Sequence, residues 1–223
     1  MNLAIGETLP FAVAIAISPI PIIATILLLM SERARSLGLS FLGGWVVGIA
    51  FATMLFTLLA GVIPEQGDTG AKPVVGVIQL VLGLTLLLLA VKQWRSRPQA
   101  GEEPELPGWM AKIQTMKPLP VVGFAFMLAA VNPKNILMAV AAGTIVGQAG
   151  LSAGAGAATI AVFVVIAALS VCGPIVAYLV APERAAGALD KLRIWLIANN
   201  ATIMSVVLVL LGVQMLGKAI ASF

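Results

Sequence analysis

Six long apolar stretches leave this chain little choice of fold. They run over residues 9–30, 39–63, 74–94, 119–142, 153–180 and 196–220. At about 1.5 Å of rise per residue, each is long enough for a helix that crosses a hydrocarbon core of about 30 Å. Transmembrane barrel strands would be about ten residues long with alternating polarity, and the stretches show neither property. The sequence therefore predicts an all-α integral membrane protein with six transmembrane helices.

The composition agrees with this class and excludes several functions. Hydrophobic residues make up 61% of the chain and charged residues 10%, with a mean hydropathy of +1.09. Since His is absent and Cys172 is the single cysteine, His-based zinc chemistry and a CxxC redox pair are excluded. The spans also offer no carboxylate and no Ser/His or Cys/His pair for catalysis. We therefore expect no cofactor, no bound metal and no enzymatic activity.

The positive charges are distributed unevenly between the two sides of the predicted bundle. Ten of the 13 Lys and Arg residues fall in the connections after the first, third and fifth spans. The other side holds only Lys72 and Lys218, and Lys134 lies within a span. By the positive-inside rule the ten-cation side is cytoplasmic, so both termini are predicted to lie outside. We read the net charge of +4 as this topology signal and expect the lipid bilayer, not nucleic acid, as its partner.

One long connection divides the six predicted spans into two halves of three. We assign residues 1–95 to the first half, 96–118 to a cytoplasmic linker and 119–223 to the second half. The linker is rich in proline and carries an acidic patch, Glu102-Glu103-Pro104-Glu105, which favours a flexible connection. Because each half has an odd number of spans, the second half enters the membrane from the opposite face. The sequence thus predicts two inverted three-helix repeats.

Two short motifs interrupt otherwise apolar spans at corresponding places. They are Ser18-Pro19-Ile20-Pro21 in the first span and Asn132-Pro133-Lys134-Asn135 in the fourth, and an offset of 114 superimposes Pro19 on Pro133. Each proline removes a backbone donor where no water can replace it, so the first and fourth helices should both be broken. Paired breaks in two halves are the best pointer in a sequence to a transporter's binding site.

Lys134 is the most unusual residue of the second motif. A lysine at bilayer depth costs about 2.5 to 3.5 kcal/mol on insertion scales. Its charge, joined by the free N–H groups that begin the second half-helix, suits a carboxylate, phosphate or sulfate. The amides of Asn132 and Asn135 can cap the broken backbone or hold a polar headgroup. The alternative is a structural lysine that reaches the interface or pairs with a backbone carbonyl, and we favour recognition.

The first motif is expected to contribute to the same site. Ser18 can cap the break where Pro19 and Pro21 disrupt two donors, and Thr25 lies where it can face the same cavity. Alone, this motif fits a plain kink as well as a site, and only its coincidence with the second break favours the site. The candidate substrate-binding residues are Ser18, Pro19, Pro21, Thr25, Asn132, Pro133, Lys134 and Asn135.

Glycines are dense in and around the second, fourth and fifth spans. Small residues four apart allow two helices to approach closely, and close packing must replace the hydrophobic drive that is absent in lipid. We predict that these glycines pack helices of the same chain, with a homodimer seam as the alternative. The residues are Gly43, Gly44, Gly48, Gly143, Gly147, Gly150 and Gly154.

The three-plus-three spans and the two motifs together resemble the lysine exporter (LysE) superfamily. Within it the chain resembles the GAP family, the actinobacterial glycolipid- and sulfolipid-addressing membrane proteins. The resemblance covers most of the chain, and the two motifs are its specific part. It implies a transporter of the bacterial cytoplasmic membrane that moves an envelope lipid, glycolipid or lipid-linked glycan outward, with the motif residues as its site. The single cysteine departs from the superfamily's redox branch, which carries paired membrane cysteines.

Two other functions stay open at this stage. The same scaffold serves exporters of amino acids or other small solutes, although a membrane lysine without a carboxylate disfavours metal ions and purely cationic substrates. A non-transporting assembly factor, with envelope-lipid biosynthesis proteins as partners, belongs to a different class. Scaffolding does not need a lysine at the midplane, which is why we favour transport.

Overall fold

The computed structural model of the protein describes residues 1–61, 71–97 and 108–222. The acidic patch predicted at residues 102–105 lies outside them. The described residues form helices only: α1 (Asn2–Ala16), α2 (Pro19–Leu29), α3 (Ala34–Ala60), α4 (Ala71–Arg95), α5 (Met110–Ile113), α6 (Pro118–Ala130), α7 (Pro133–Gly147), α8 (Ala153–Val180) and α9 (Pro182–Ile220).

Four helices, α3, α4, α8 and α9, are each long and apolar enough to cross a membrane. Two further pairs pass the same test only when they are joined. The pair α1 and α2 is bent by 50°, and the pair α6 and α7 by 62°. The described chain therefore has four candidate spans, or six if each bent pair crosses as one unit. Several apolar helices of this length fit a multi-pass membrane protein.

The last helix differs most from its predicted bounds. We expected the sixth span to begin at residue 196, whereas α9 begins at Pro182 and is 39 residues long. Residues 183–195 include several charged side chains, which a helix accommodates on its surface. One ion pair supports this part of the helix, because Arg193 Nη2 lies 2.7 Å from Asp190 Oδ1 one turn earlier. At about 1.5 Å per residue α9 is roughly 60 Å long, so a large part extends beyond a hydrocarbon core of about 30 Å.

Helix α3, which follows the bent pair of the first half, packs on α6 and α7, the bent pair of the second half. A Cβ built at Gly48 of α3 would lie 2.7 Å from Ala129 Cβ of α6, and one at Gly143 of α7 would lie 2.7 Å from Phe56 of α3. Along α3, contacts pass from α6 to α7, so α3 runs parallel to this pair. Correspondingly, α8 packs on α1 and α2.

The predicted packing role of the glycines is confirmed for those that face a neighbouring helix. Cβ atoms built at Gly44, Gly48, Gly143 and Gly147 would overlap backbone or Cβ atoms of the adjacent helix. Gly43 and Gly154 have no atom within 4 Å of an added Cβ, and Gly150 adopts φ 58°, a conformation that glycine accepts readily.

Helices α4 and α9 are antiparallel and cross at glycine. A Cβ at Gly83 would lie 3.1 Å from the Gly212 carbonyl oxygen, and one at Gly212 would lie 3.2 Å from that of Gly83. At one end, the Ser222 hydroxyl donates to Gln79 Oε1 at 3.2 Å. At the other end, the carboxyl-terminal turn of α4 lines a groove with residues 205–210 of α9.

The described end of the predicted linker is packed against the bundle. The four-residue helix α5 buries Ile113 completely, and the ring of Trp109 lies 4.9 Å from that of Phe124 in α6. Gln114 Nε2 donates to the Leu27 carbonyl of α2 at 3.1 Å. This segment therefore holds the carboxyl-terminal end of α2 beside the start of α6.

The glycine contacts predict a large effect at Gly48 and a small one at Gly43 of the same helix. Gly48→Val should lower the free energy of unfolding by about 1 to 3 kcal/mol, because the Phe126 carbonyl, 2.8 Å from the added Cβ, belongs to the backbone. The control Gly43→Val adds its side chain in open space. Thermal unfolding of both variants in detergent measures the difference, and equal stability would contradict this helix packing.

Candidate functional site

Both motifs break their helices in the same way. Ser18 and Asn132, the residues before Pro19 and Pro133, have nearly equal backbone angles, with φ −61° and ψ 116° in one and φ −62° and ψ 123° in the other. Proline disfavours the helical conformation in the preceding residue and fits the first position of a new helix. The prediction that the chain breaks into two helices at each motif is confirmed.

The break in the first pair leaves one carbonyl of α1 without its helical partner. Pro19 has no N–H for the Ile15 carbonyl, and the Ser18 N–H donates to that carbonyl instead at 3.1 Å. In a continuous helix the Ser18 N–H would donate to the Ala14 carbonyl. Here the donor to that carbonyl comes from the second half of the chain. Lys134 Nζ donates to it at 3.0 Å in a buried position. A side chain of the second motif thus completes the first break.

At the break in the second pair, Asn135 supplies the missing hydrogen-bond donor. Pro133 cannot donate to the Ala129 carbonyl, and Asn135 Nδ2 donates to that oxygen at 3.2 Å. The same nitrogen lies 3.4 Å from the Leu128 carbonyl oxygen, a longer and weaker contact. Adjacent residues of α7 therefore supply donors to the carboxyl ends of both α1 and α6, where helices leave carbonyls unsatisfied.

Lys134 lies between helix ends of opposite polarity. The carboxyl end of α1 carries partial negative charge and attracts the side-chain nitrogen, whereas the amino end of α7 carries partial positive charge. The whole residue is 9% exposed. Among the described residues, salt bridges join Arg193 to Asp190 and Lys218 to Glu7, and Lys134 belongs to neither. Its partner is a neutral carbonyl, so a positive charge on it would face the partial charge of a helix end and no carboxylate of the described residues.

Capping differs between the two motifs. As expected, the Asn132 side chain caps α7, with Oδ1 accepting from the Lys134 N–H at 3.0 Å. This bond occupies one of the N–H groups that we expected to be free for a ligand. The expected cap by Ser18 was wrong, because its side chain makes no capping hydrogen bond. Pro21 removes the N–H at the third helical position, which a short hydroxyl at this place commonly binds.

The remaining candidate residues are divided between the interior and the surface. Pro19, Pro21 and Thr25 are buried, and the Thr25 hydroxyl donates to the Pro21 carbonyl at 2.8 Å. Asn132 is half-buried and Pro133 is exposed. The two motifs therefore meet where Lys134 binds the carboxyl-terminal end of α1, just before Ser18, while Pro133 is exposed.

Sequence reasoning missed two polar atoms on α3 that are buried without a partner in the described chain. They are Trp45 Nε1 and Thr53 Oγ1, and Asn135 Oδ1 shares this condition. Thr53 lies between Gly48, which contacts α6, and Phe56, which contacts α7, so it is level with the second break. Single Trp and Thr residues are ordinary in membrane helices. Only their spacing of eight on one buried face of α3 could have indicated them.

The carbonyl contacts of Asn135 predict a loss of stability when its amide is removed. Asn135→Leu should lower the free energy of unfolding by about 1 to 3 kcal/mol, because buried carbonyls lose their donor. Asn199→Leu is the control. The Asn199 amide that it removes donates to the Trp195 carbonyl, one turn earlier in the same helix and at an exposed position, so its loss should cost little. Thermal unfolding in detergent compares the two variants, and similar losses would contradict the proposed completion of the break.

Comparison with known proteins agrees with the family predicted from the motifs. The family model described as Sap, sulfolipid-1-addressing protein, matches residues 8–221 and thus spans both breaks. No curated protein and no solved structure matches the chain significantly. The wider link to the lysine exporter superfamily stays a prediction. The chain therefore belongs to the family of the sulfolipid-1-addressing protein, Sap.

Proposed function

We propose that this protein exports an envelope lipid, glycolipid or lipid-linked glycan across the cytoplasmic membrane by alternating access. In this proposal Lys134 recognises an anionic or zwitterionic headgroup between the two broken helices. The observation that carries it is the buried Lys134 nitrogen, which has a neutral carbonyl as partner at the place where the two breaks meet. An arriving anion would compete with Ala14 for this nitrogen.

The cost of the lysine supports recognition over a purely structural role. A neutral amide could donate to the Ala14 carbonyl at a lower desolvation cost than an amine that can carry charge. Asn135, the next residue, does this for the second break. An amine that can carry charge at the Ala14 carbonyl is therefore more than hydrogen bonding alone requires.

Several contacts support two inverted repeats, the arrangement on which alternating access depends in related architectures. The second helix of each half packs on the broken pair of the other half. The third helices of the two halves meet at reciprocal glycines. Under this arrangement the connections rich in Lys and Arg lie in the cytoplasm and both termini lie outside.

A lipid substrate is supported by an apolar groove and by the family. The groove, about 410 Å³ in volume, lies between α4 and α9 and has Trp94 and Arg95 at one end. The guanidinium of Arg97 lies 3.8 Å from the centre of the Trp94 ring, so two cations are near its mouth. The family's name refers to the addressing of a sulfolipid. Acyl chains could occupy such a groove while basic residues hold an acidic headgroup.

A non-transporting assembly factor is the second candidate. The hydrogen bond between Lys134 and Ala14 favours it, since pairing with a backbone carbonyl is what a structural lysine would do. Export of amino acids or other small solutes remains an outcome that the transport experiments can distinguish.

Replacement of Lys134 by glutamine separates recognition from structure. Lys134→Gln can still donate to the Ala14 carbonyl but carries no charge. We expect near-normal abundance and thermal stability with loss of export, whereas Lys134→Arg should be partly active because a planar fork replaces a point charge. Lys134→Ala should also lose export, with an additional stability loss of about 1 to 3 kcal/mol from the orphaned carbonyl.

The readout is lipidomics of the outer envelope in a deletion strain complemented with each variant, paired with efflux assays for basic amino acids. Loss of one surface glycolipid with intracellular accumulation supports lipid export. Normal export by Lys134→Gln would exclude charge recognition and favour the structural role. Unchanged surface lipids with hypersensitivity to amino acids would replace the lipid with a small solute.

Alternating access also predicts that buried positions near the breaks become accessible during turnover. Ala24 of α2 and Ala139 of α7 are 0% and 2% exposed in this conformation. A single cysteine at either position, in a protein that also carries Cys172→Ser, should react with a membrane-impermeant thiol reagent in active cells. The same cysteine should not react when the protein also carries Lys134→Gln. Ala153→Cys, at the exposed start of α8, controls for reagent reactivity. Absence of labelling from both sides would contradict transport.

A further inference from the structure

A polar cavity lies at the end of the bundle that holds both ends of the described chain. Its volume is about 420 Å³, and it is separate from the site around Lys134. Six polar side chains line it, from four helices, the turn after α7 and the carboxyl-terminal turn. They are Glu7, Gln79, Thr144, Gln148, Lys218 and Ser222. We refer to it as the Gln148 cavity.

The amide of Gln148 is the unexplained group in this cavity. Both its nitrogen and its oxygen are buried, and neither has a hydrogen-bond partner in the described chain. A buried carboxamide without partners is costly, because it has lost water without replacing it. Most of the other polar side chains have partners, and the Thr144 hydroxyl donates to the Val140 carbonyl at 2.8 Å. Lys218 Nζ lies 2.7 Å from Glu7 Oε2, and Ser222 donates to Gln79.

The cavity and the Lys134 site are two ends of one helix interface. Ala14 of α1 accepts from Lys134 of α7, and Glu7 of α1 and Thr144 of α7 both line the cavity. The two helices are therefore antiparallel, and the interface between them leads from one site to the other. Along α7 the separation from Lys134 to Thr144 is about 15 Å.

The chemistry of the cavity favours hydroxyl groups over a simple ion. Glu7 and Lys218 are the charged side chains in the described lining, and they neutralise each other, so these side chains supply no net charge that would attract an anion or a cation. A carboxamide and an ion pair together offer both donors and acceptors. A polyol presents the same mixture, since each hydroxyl donates one hydrogen bond and accepts others.

We propose that the Gln148 cavity binds the hydroxyl-rich, carbohydrate headgroup of a lipid at the outer end of the α1–α7 interface. This inference rests on the proposed function for the direction of travel, in which the headgroup reaches the cavity after it leaves Lys134. On binding, the Gln148 side chain, whose amide is buried in the cavity wall, turns into the cavity and binds sugar hydroxyls with both atoms of its amide. The pair of Glu7 and Lys218 binds the hydroxyls that remain.

Binding can be measured without transport. The protein, with Cys172→Ser and Ala149→Cys, carries an environment-sensitive fluorophore at the rim of the cavity and is held in phosphatidylcholine nanodiscs. Dodecyl maltoside and dodecylphosphocholine, which share a chain and differ in headgroup, are added at matched low mole fractions of the disc lipid. We expect a saturable fluorescence change with the maltoside only.

A matched pair of substitutions tests the role of the amide. Gln148→Met keeps the size of the side chain and should weaken maltoside binding roughly tenfold, the effect of losing two hydrogen bonds. Gln214→Met is the same change on α9 at a half-buried position outside the cavity, and it should leave binding unchanged. If Gln148→Met does not fold, Glu7→Gln, which breaks the ion pair, should weaken binding in the same assay.

The outcomes separate this inference from the proposed function. Equal responses to both headgroups, or unchanged binding in Gln148→Met, would overturn the inference and indicate a cavity filled by water. Lys134→Gln should bind the maltoside normally while export is lost. Saturable maltoside binding in a protein that exports no lipid would retain the cavity as a carbohydrate site and reject the export function.

Discussion

Unsatisfied carbonyls at two helix breaks are the constraint on which the rest of the structure depends. In an apolar medium no water can bond them, so the chain must supply donors from its own side chains. Pro133 removes the partner of the Ala129 carbonyl, and Asn135 replaces it. Pro19 draws the Ser18 N–H to the Ile15 carbonyl, and Lys134 takes the vacated Ala14 carbonyl. The two broken helix pairs are therefore stable only when α7 lies against both α1 and the end of α6.

This solution is asymmetric although the two motifs match in position. With the offset of 114, Lys134 and Asn135 correspond to Ile20 and Pro21, which have no side-chain donors. Both donors come from the second half, so recognition under the proposed function would belong to α7 alone. An anion that binds Lys134 would leave the Ala14 carbonyl without its donor. Water entering the α1–α7 interface could replace that donor, which would link headgroup binding to opening of the interface.

The sequence predicted what proline and apolar length determine. The helices beginning at Pro19 and Pro133 and the bounds of α8 agree with it, because proline fixes helix starts and an uninterrupted apolar run ends where polar residues begin. It did not predict the early start of α9, whose first turns are charged and carry no hydropathy signal. The sequence also did not predict which group binds Lys134, because every residue has a backbone carbonyl and no residue type marks the one that accepts. The partner emerges only when the helices are packed.

Two of the interfaces between the halves of the chain, α4–α9 and α1–α7, differ in how easily they can separate. Helices α4 and α9 meet at Gly83 and Gly212, where a Cβ added to either glycine would overlap a leucine side chain of the other helix and lie close to its backbone. Close packing of this kind is lost over the whole contact when the helices move apart. Among the described residues, the α1–α7 interface instead has one side-chain hydrogen bond at one end and a cavity at the other. Under the proposed function, rearrangement should therefore occur between α1 and α7, while α4 and α9 stay in contact.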